Sequence, residues 1–320
     1  MHAAFTARGA TRLGHLISFS DVDGMSLSKT TFGLLLTLLV CVAGCERRVT
    51  LDPAVNFDDP EVAKIVAAIR EGGEGSGSDD AAESAATGTG WGGLKGRFLF
   101  EGAAPAIGRV STGGKDADMC GDSVPDLSLV VDPASKGVSN VVVFARKVSR
   151  VKNPETPTEE ALFDQKACLF LTHVLTARTG QPVKILNSDP KAHNTAGSPP
   201  GDANFNPQLP GGGSTTVTFK KSQNAPFPVT CSIHPWMKGY MFPRADSYVA
   251  VSGADGSFEM MDLPAGENIE FMVWHERVGG GSGGGLVAKS GWNGGRFKLT
   301  IPADGVEDLG DIKVPESAFK

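Results

Sequence analysis

Four residues of types that bind transition metals lie close together in two stretches of the chain. Cys231, His234 and Met237 are spaced three residues apart in one short segment, and His193 lies upstream of them. Soft sulfur ligands favour Cu(I) and imidazoles suit both oxidation states of copper. A thiolate, two imidazoles and a weak axial thioether together form the ligand set of blue-copper centres. The spacing therefore predicts a mononuclear copper site that exchanges single electrons, with these four side chains as its ligands.

The same residues allow two other interpretations, zinc binding and ordinary burial. Zinc is the alternative metal because imidazole and thiolate ligands also suit it, although a structural zinc site does not normally recruit a methionine such as Met237. A buried free cysteine usually behaves as a small hydrophobic side chain, so the prediction depends on all four residues occurring together. His173 could supply a third imidazole, but we interpret it, like His275, as a half-exposed histidine on or beside a strand.

Short strands are the elements that must position these ligands. The chain contains 41 glycines and 20 prolines, which favours strands joined by turns over long helices. The strand predicted at 226–231 delivers the ligand loop, and Pro235 stiffens that loop because its ring fixes φ. Further strands are predicted at 94–101, 127–132, 138–146, 215–220, 296–301 and 308–314. No helix-length amphipathic pattern interrupts them, so the sequence predicts an all-β protein with a Greek-key sandwich.

The ligand motif resembles that of a known family. Cys231, His234 and Met237 are followed by Lys-Gly, and His193 is followed by Asn194, as in the cupredoxins of the plastocyanin and amicyanin type. The resemblance extends over residues 170–237. It implies a Greek-key sandwich that holds one type 1 copper ion through the four predicted ligands. Segment 198–213, between the ligands, is richer in proline and glycine than the pattern of a compact cupredoxin.

The resemblance also implies roles for the residues around the ligands. Asn194 would brace the ligand loop, Pro235 would lie beside the ligands, and Trp236 would form part of an apolar docking face where the imidazole edge of His234 meets a partner. The implied function is that of an electron carrier. Its partner would be a redox protein such as a cytochrome or a dehydrogenase.

The sequence favours electron transfer over the other functions of copper proteins. Copper oxidases and copper nitrite reductases join two metals through a histidine adjacent to the cysteine, but Thr230 and Ser232 are the neighbours here. We therefore expect no enzyme activity. Copper storage or delivery remains an alternative because the chain also contains Met241, Met260 and Met261, and a cupredoxin scaffold without a redox role is another.

The chain continues well beyond Met237 into a second predicted unit. The stretches Asp255-Gly-Ser-Phe and Leu263-Pro-Ala-Gly resemble turns of the carboxypeptidase-regulatory module, a smaller prealbumin-like β-sandwich, and an Asp-Gly pair favours a tight hairpin turn. We predict a copper domain at 91–245 and this module at 246–320. The strands within 91–165 could instead pair with the C-terminal module. The glycine run 279–285 lacks the residues of a phosphate-binding loop.

The N-terminal residues predict export. Residues 1–44 contain a basic start near Met25, an apolar run and small residues before Cys45, which is typical of a signal peptide with a lipidation site. Residues 45–90 then form a flexible tether with one short helix, anchored to a membrane only through lipid. A periplasmic or cell-surface lipoprotein is expected, with a plain secretory signal as the alternative. The net charge of −6 and the absence of a basic stripe exclude nucleic acid as a partner.

Two further cysteines, Cys120 and Cys168, have no place in the ligand set. Export would allow them to form a disulfide, because disulfides persist in oxidising compartments. The alternative is a pair of separate buried thiols, since spacing in the sequence does not establish the geometry of a bridge.

Overall fold

The computed structural model describes residues 88–278 and 285–319. The signal peptide, Cys45, the predicted short helix and nearly all of the tether lie outside the described residues, as does most of the glycine run. Over the described ranges, no helix is both long and apolar enough to cross a membrane. Almost all of the regular structure in these ranges is β-strand, which confirms the predicted all-β class.

The first sandwich, called the ligand sandwich here, contains the predicted metal ligands. One sheet has the strand order β12-β8-β5-β6 and the other has the order β10-β13-β14-β7. Two short pairs, β2 with β3 and β9 with β11, extend it. Its strands are β2 (Arg109–Ser111), β3 (Ser123–Pro125), β5 (Ala161–Lys166), β6 (Leu169–Phe170), β7 (Val174–Arg178), β8 (Pro182–Asn187), β9 (His193–Asn194), β10 (Ala196–Gly197), β11 (Gln208–Leu209), β12 (Ser214–Thr218), β13 (Phe227–Thr230) and β14 (Lys238–Arg244). Phe163, Phe170, Val183, Val229 and Met241 form much of its core.

The second sandwich, called the closing sandwich here, combines strands from both sides of the ligand sandwich in the sequence. Its sheets have the orders β16-β1-β19 and β15-β4-β17-β18, and β1 pairs antiparallel with β16 and parallel with β19. Its strands are β1 (Trp91–Glu101), β4 (Val142–Ala145), β15 (Val249–Val251), β16 (Ser257–Pro264), β17 (Asn268–Trp274), β18 (Arg296–Thr300) and β19 (Val306–Pro315). The chain therefore leaves this sandwich twice, for β2 and β3 between β1 and β4, and for β5 to β14 between β4 and β15.

The hairpin turn before β16 shows why glycine is required at one position of the closing sandwich. Gly256 has φ 81°, in the left-handed region that favours glycine. A Cβ atom at Gly256 would lie 2.1 Å from the carbonyl oxygen of Phe98. This close approach lets the turn pack against β1.

The two sandwiches share an apolar contact that includes a buried arginine. Phe144 of β4 packs edge-on against Phe242 of β14, with ring centroids 4.8 Å apart. The Arg244 guanidinium lies near both rings and donates hydrogen bonds to the Ala145 carbonyl (2.6 Å) and to Asp246 (3.0 Å). Because a buried charge needs such partners, Arg244 fixes the end of β14 against β4.

Two local features differ from the sequence expectation. The strand predicted at 127–132 is wrong, because only Val131 forms a bridge, with Val138, and the residues before it are in turns or irregular structure. A four-residue helix, α1 (Ala117–Cys120), lies between β2 and β3, where no helix was predicted. So short a helix leaves no periodic pattern in the sequence.

Candidate metal centre

The ligand loop is a short, hydrogen-bonded connection between two strands. β13 ends at Thr230, which pairs with Lys238 at the start of β14. Across the loop, the Cys231 N–H donates to the Met237 carbonyl (3.2 Å) and the Met237 N–H donates to the His234 carbonyl (2.9 Å). The backbone of all three predicted loop ligands is thus fixed by the same turn.

The donor atoms of three predicted ligands converge. One ligand atom from each of His193, Cys231 and His234 lies within 4.8 Å of the others. The two Nδ1 atoms are 2.8 Å apart, and the Cys231 sulfur is 4.0 Å from the Nδ1 of His234. Cys231 is a free thiol, and Met237 is fully buried in the same core. The structure therefore brings together the donor atoms of three of the four residues that the sequence singled out, and it buries the fourth, Met237, in the same core.

Each imidazole is oriented by a carboxylate on its other nitrogen. Nε2 of His193 lies 2.8 Å from Asp189, and Nε2 of His234 lies 2.9 Å from Asp116. A carboxylate accepts the Nε2–H proton and leaves the Nδ1 lone pair free to bind a metal. Burial also lowers the pKa of His193, which favours its neutral, ligating form.

Two Nδ1 atoms 2.8 Å apart need a proton or a metal ion shared between them. Neutral imidazoles protonated on Nε2 have only acceptors at Nδ1, and two such acceptors cannot hydrogen-bond to each other. A metal ion bound by both Nδ1 atoms and by the Cys231 sulfur would satisfy them. The donor set of two imidazoles and a thiolate fits copper, and it also fits zinc.

Asn194 connects β9 to the ligand loop. Its Oδ1 accepts hydrogen bonds from the backbone N–H groups of Ser232 (2.8 Å) and Ile233 (3.2 Å). Its own N–H points at the Cys231 sulfur (3.5 Å), as does the N–H of His234 (3.4 Å). Asn194 therefore links β9 to the ligand loop through contacts with both the loop backbone and the Cys231 sulfur.

The segment between β2 and β3, called the strap here (residues 112–122), covers His234. Lys191 donates to Asp116 (2.7 Å) and Asp118 (2.5 Å), and Lys115 donates to the Ile233 carbonyl (2.5 Å). Hydrogen bonds from Lys191 and His234 lower the pKa of Asp116 to about 2. His234 has no exposed surface. The expectation that its imidazole edge reaches a docking surface is therefore wrong, because the strap lies over that edge.

Trp236 is the ligand-loop aromatic residue that keeps some exposure. Its ring centroid lies 5.1 Å from that of His234, and its Nε1–H donates to the Cys168 carbonyl (3.2 Å). The neighbouring Pro235 is exposed. Trp236 also lines a cavity of about 200 Å³ together with Lys238. Trp236 thus joins the buried His234 ring to the partly exposed part of the ligand loop.

Cys120 and Cys168 are joined in a disulfide with a Cα–Cα distance of 5.4 Å. Of the two arrangements that the sequence left open, the structure has the bridge. The Cys168 N–H also donates to Asp189 (2.9 Å), the carboxylate that orients His193.

The two remaining histidines discussed above are buried, so their interpretation as half-exposed residues is wrong. His173 is 8% exposed and its Nε2 is bonded to Glu276. His275 is 2% exposed, its ring lies edge-on to Phe319, and burial lowers its pKa to about 4. His173 joins the two sandwiches through Glu276, which follows β17, and neither histidine belongs to the cluster of His193, Cys231 and His234.

The comparisons with known proteins give likenesses to solved structures only. No family model matches the chain, and no curated protein matches it. Amicyanin from Paracoccus versutus is 19% identical, covering 32% of this chain and 97% of that one with a TM-score of 0.25. The reduced form of an amicyanin mutant gives 19% identity, 32% and 98% coverage and a TM-score of 0.25.

A copper-containing nitrite reductase from Thermus scotoductus SA-01 is 23% identical over 30% of this chain, with a TM-score of 0.25. This chain spans only 25% of the reductase. Because all of these TM-scores are low, nothing further about this chain rests on the likenesses.

Sequence reasoning missed the two carboxylates that orient the imidazoles. A weak signal for Asp189 was present, because it lies four residues before His193 and two residues after the end of β8. Asp116 gave no signal. It is 118 residues from His234 in the sequence and reaches it only through the fold.

Proposed function

We propose that this chain is an exported electron carrier that binds one type 1 copper ion through His193, Cys231, His234 and Met237. The observation that supports the proposal is the buried convergence of two Nδ1 atoms and a free thiol, with both Nε2 atoms tied to carboxylates. A bound copper ion would supply a single-electron redox centre. The chain's own residues would orient the ligands, exclude water and hold the donor set fixed.

Burial of the donors favours an electron carrier over an enzyme. His193 and His234 have no exposed surface, and Cys231 is 1% exposed. A substrate would have to displace the strap or the ligand loop in order to reach the metal. An electron needs no such opening, and a rigid donor set suits a metal that changes oxidation state without rearranging.

The same burial disfavours copper storage or delivery, for which exposed, exchangeable ligands would be needed. The additional methionines do not gather at the site. Met241 lies in the core of the ligand sandwich, Met260 lies in the core of the closing sandwich, and Met261 is exposed on β16. We therefore propose the carrier role ahead of storage.

A redox protein such as a cytochrome or a dehydrogenase is the proposed partner, with Trp236 as the point of electron entry. The Trp236 ring is the partly exposed aromatic group in contact with the His234 ring. A disulfide between Cys120 and Cys168 fits an oxidising, extracytoplasmic compartment. Anchoring to a periplasmic or cell-surface membrane through lipidated Cys45 is part of the same proposal.

Visible absorption after adding Cu(II) to the purified protein tests the proposal, with Cys231→Ser as the matched control. The hydroxyl keeps the size of the side chain but removes the thiolate. We expect an intense thiolate-to-copper charge-transfer band in the native protein, its absence from the variant, and reversible one-electron reduction in voltammetry. Copper binding without the band would support storage or delivery instead. Failure to bind copper would leave the scaffold interpretation, and a band that persists in Cys231→Ser would show that the assigned ligand is wrong.

A further inference from the structure

The two carboxylates that orient the imidazoles are attached to opposite ends of one disulfide. On one side, Asp189 accepts hydrogen bonds from the backbone N–H groups of Ala167 (2.7 Å) and Cys168 (2.9 Å), and from Nε2 of His193. Ala167 and Cys168 have φ values of 53° and 58°. Residues other than glycine seldom adopt this left-handed conformation without support from their surroundings. The position of Asp189 therefore depends on how Cys168 is held.

On the other side, Asp116 is fixed to Cys120 by the first turn of α1. The N–H groups of Met119 (2.9 Å) and Cys120 (2.8 Å) both donate to the Asp116 carbonyl. Asp116 itself has a left-handed backbone, with φ 51°. Four residues are too few for a helix that is stable alone, so the turn that aims this carboxylate at His234 needs an external attachment. Cys120 provides it.

We propose that the Cys120–Cys168 disulfide is the positioning element for both imidazoles. It ties the strap, which carries Asp116, to the β5–β6 turn, whose Cys168 N–H is bound by Asp189. The two Nε2 atoms are thereby held at their carboxylates, and the two Nδ1 atoms are held 2.8 Å apart. Only the identity of His193 and His234 as copper ligands rests on the proposed function. The positioning is a property of the chain without metal.

This role differs from general stabilisation by a cross-link. Any disulfide can stabilise a fold by restricting the unfolded chain. A positioning role adds that opening the bridge frees the strap while the sandwich stays folded. A dithiol reductant would supply two electrons and two protons, the S–S bond would break, and two thiols would form. His234 would then lose Asp116, and the Cys231 sulfur beneath it would become accessible to reagents.

The imidazole tautomers of the metal-free protein, measured by ¹⁵N NMR at a single pH, test the proposal. In the native protein we expect Nε2 of both His193 and His234 to be protonated, with Asp189 and Asp116 as the acceptors, so that any further proton is shared between the two Nδ1 atoms. In the double variant Cys120→Ser, Cys168→Ser we expect mixed tautomers at His234 and faster reaction of Cys231 with a thiol reagent. Copper affinity should fall by about 10- to 100-fold, the usual effect of losing the partners of metal ligands.

A destabilising variant with an intact disulfide serves as the control, because it separates an effect on imidazole positioning from a general loss of stability. Val273→Ala removes buried volume from the closing sandwich but leaves the disulfide intact, so it should keep both native tautomers. Retention of both native tautomers in the folded double variant would overturn the proposal. If that variant fails to fold, graded reduction of the native protein with a dithiol decides. The His234 signals must change as the two thiols appear, and unchanged signals in the reduced, folded protein would overturn the proposal.

These readouts distinguish this proposal from the proposed function because the tautomers and the thiol reactivity are measured without metal. Native tautomers that depend on the disulfide, in a protein that forms no charge-transfer band with copper, would support positioning and reject the copper carrier. If the charge-transfer band appeared but the tautomers were the same with and without the disulfide, the copper carrier would be supported and the positioning role rejected.

Discussion

The two sandwiches bury polar side chains in different ways. In the closing sandwich the buried Ser252 hydroxyl is satisfied by its immediate neighbours, since it accepts from the Val141 N–H (2.9 Å) and donates to the Val138 carbonyl (2.7 Å). In the ligand sandwich, His193, Cys231 and His234 converge at one end and point their free donor atoms at one another.

This difference indicates that the candidate functional site lies in the ligand sandwich. Buried polar groups that satisfy one another stabilise a fold, whereas donor atoms that face one another without a proton between them disfavour it. Such an arrangement persists when the surrounding structure holds it and a ligand relieves it. The ligand sandwich has a donor set that a cation would satisfy, while the closing sandwich packs against it through contacts such as Phe144 with Phe242.

The largest expected effect comes from the core of the closing sandwich. Phe271 is fully buried and stacks on Phe297 at a centroid distance of 5.3 Å. Phe271→Ala should lower the free energy of unfolding by about 3–5 kcal/mol, because it removes apolar burial and leaves a cavity. Chemical denaturation measures this loss. In the protein that remains folded, the copper spectrum should be unchanged.

Phe163→Ala is the control for that prediction, since Phe163 is equally buried but lies in the ligand sandwich. A similar loss of stability is expected. If Phe271→Ala altered the spectrum as strongly as Phe163→Ala did, the closing sandwich would also take part in shaping the site, and the two sandwiches would not differ in this respect.

A second expected effect is the acid sensitivity conferred by His275. Burial holds the pKa of this imidazole at about 4, against 6.5 for an exposed histidine. As pH falls below 6.5, His275 is protonated in the unfolded chain, whereas in the folded chain it stays neutral until about pH 4. The free energy of unfolding therefore decreases across this pH range. At 1.36 kcal/mol per pKa unit, the loss amounts to about 3 kcal/mol.

His275→Gln removes this contribution and should show a correspondingly smaller fall in unfolding free energy between pH 6.5 and about 4. Glu276, His173 and Arg277 also act on His275 electrostatically. All three remain in the variant, so the difference between the two proteins isolates the imidazole. If the unfolding free energies of the two proteins fell equally with pH, the folded protein would bind the His275 proton as readily as the unfolded chain does, and the prediction would be wrong.

The predictability of the site follows from distance along the chain. The convergence of His193, Cys231 and His234 was predictable, because two of them share one loop and His193 lies on β9, just before β10, which pairs with the strand that leads into that loop. The contact between Asp116 and His234 was not predictable, because the two residues are 118 positions apart in the sequence. The helix that follows Asp116 is also too short to leave a periodic signal. Local chemistry is readable in a sequence, whereas a contact made by tertiary packing is not.

The same distinction applies to the fold. The Asp255-Gly256 turn was predictable because an Asp-Gly pair selects its own geometry. The parallel pairing of β1 with β19 was not, because its partners are separated by almost the whole described chain. The burial of His173 likewise depends on Glu276, a residue that follows β17 of the other sandwich. The strand predicted at 127–132 was wrong because this apolar stretch is partly buried without forming the backbone hydrogen bonds of a sheet.

The smallest expected effect tests whether the convergent site depends on its neighbours as well as its ligands. Asn194→Ala removes the oxygen that accepts from the Ser232 and Ile233 N–H groups, so the ligand loop should loosen while the donors remain. We expect copper affinity to fall by about 10- to 100-fold, equivalent to about 1.4–2.8 kcal/mol, as measured by competition with a copper chelator. Asn206→Ala is the matched control, because Asn206 contacts Asn194 but is exposed and not hydrogen-bonded to the loop. Equal losses in the two variants would mean that the amide network as a whole, rather than the Asn194 oxygen, holds the loop in place.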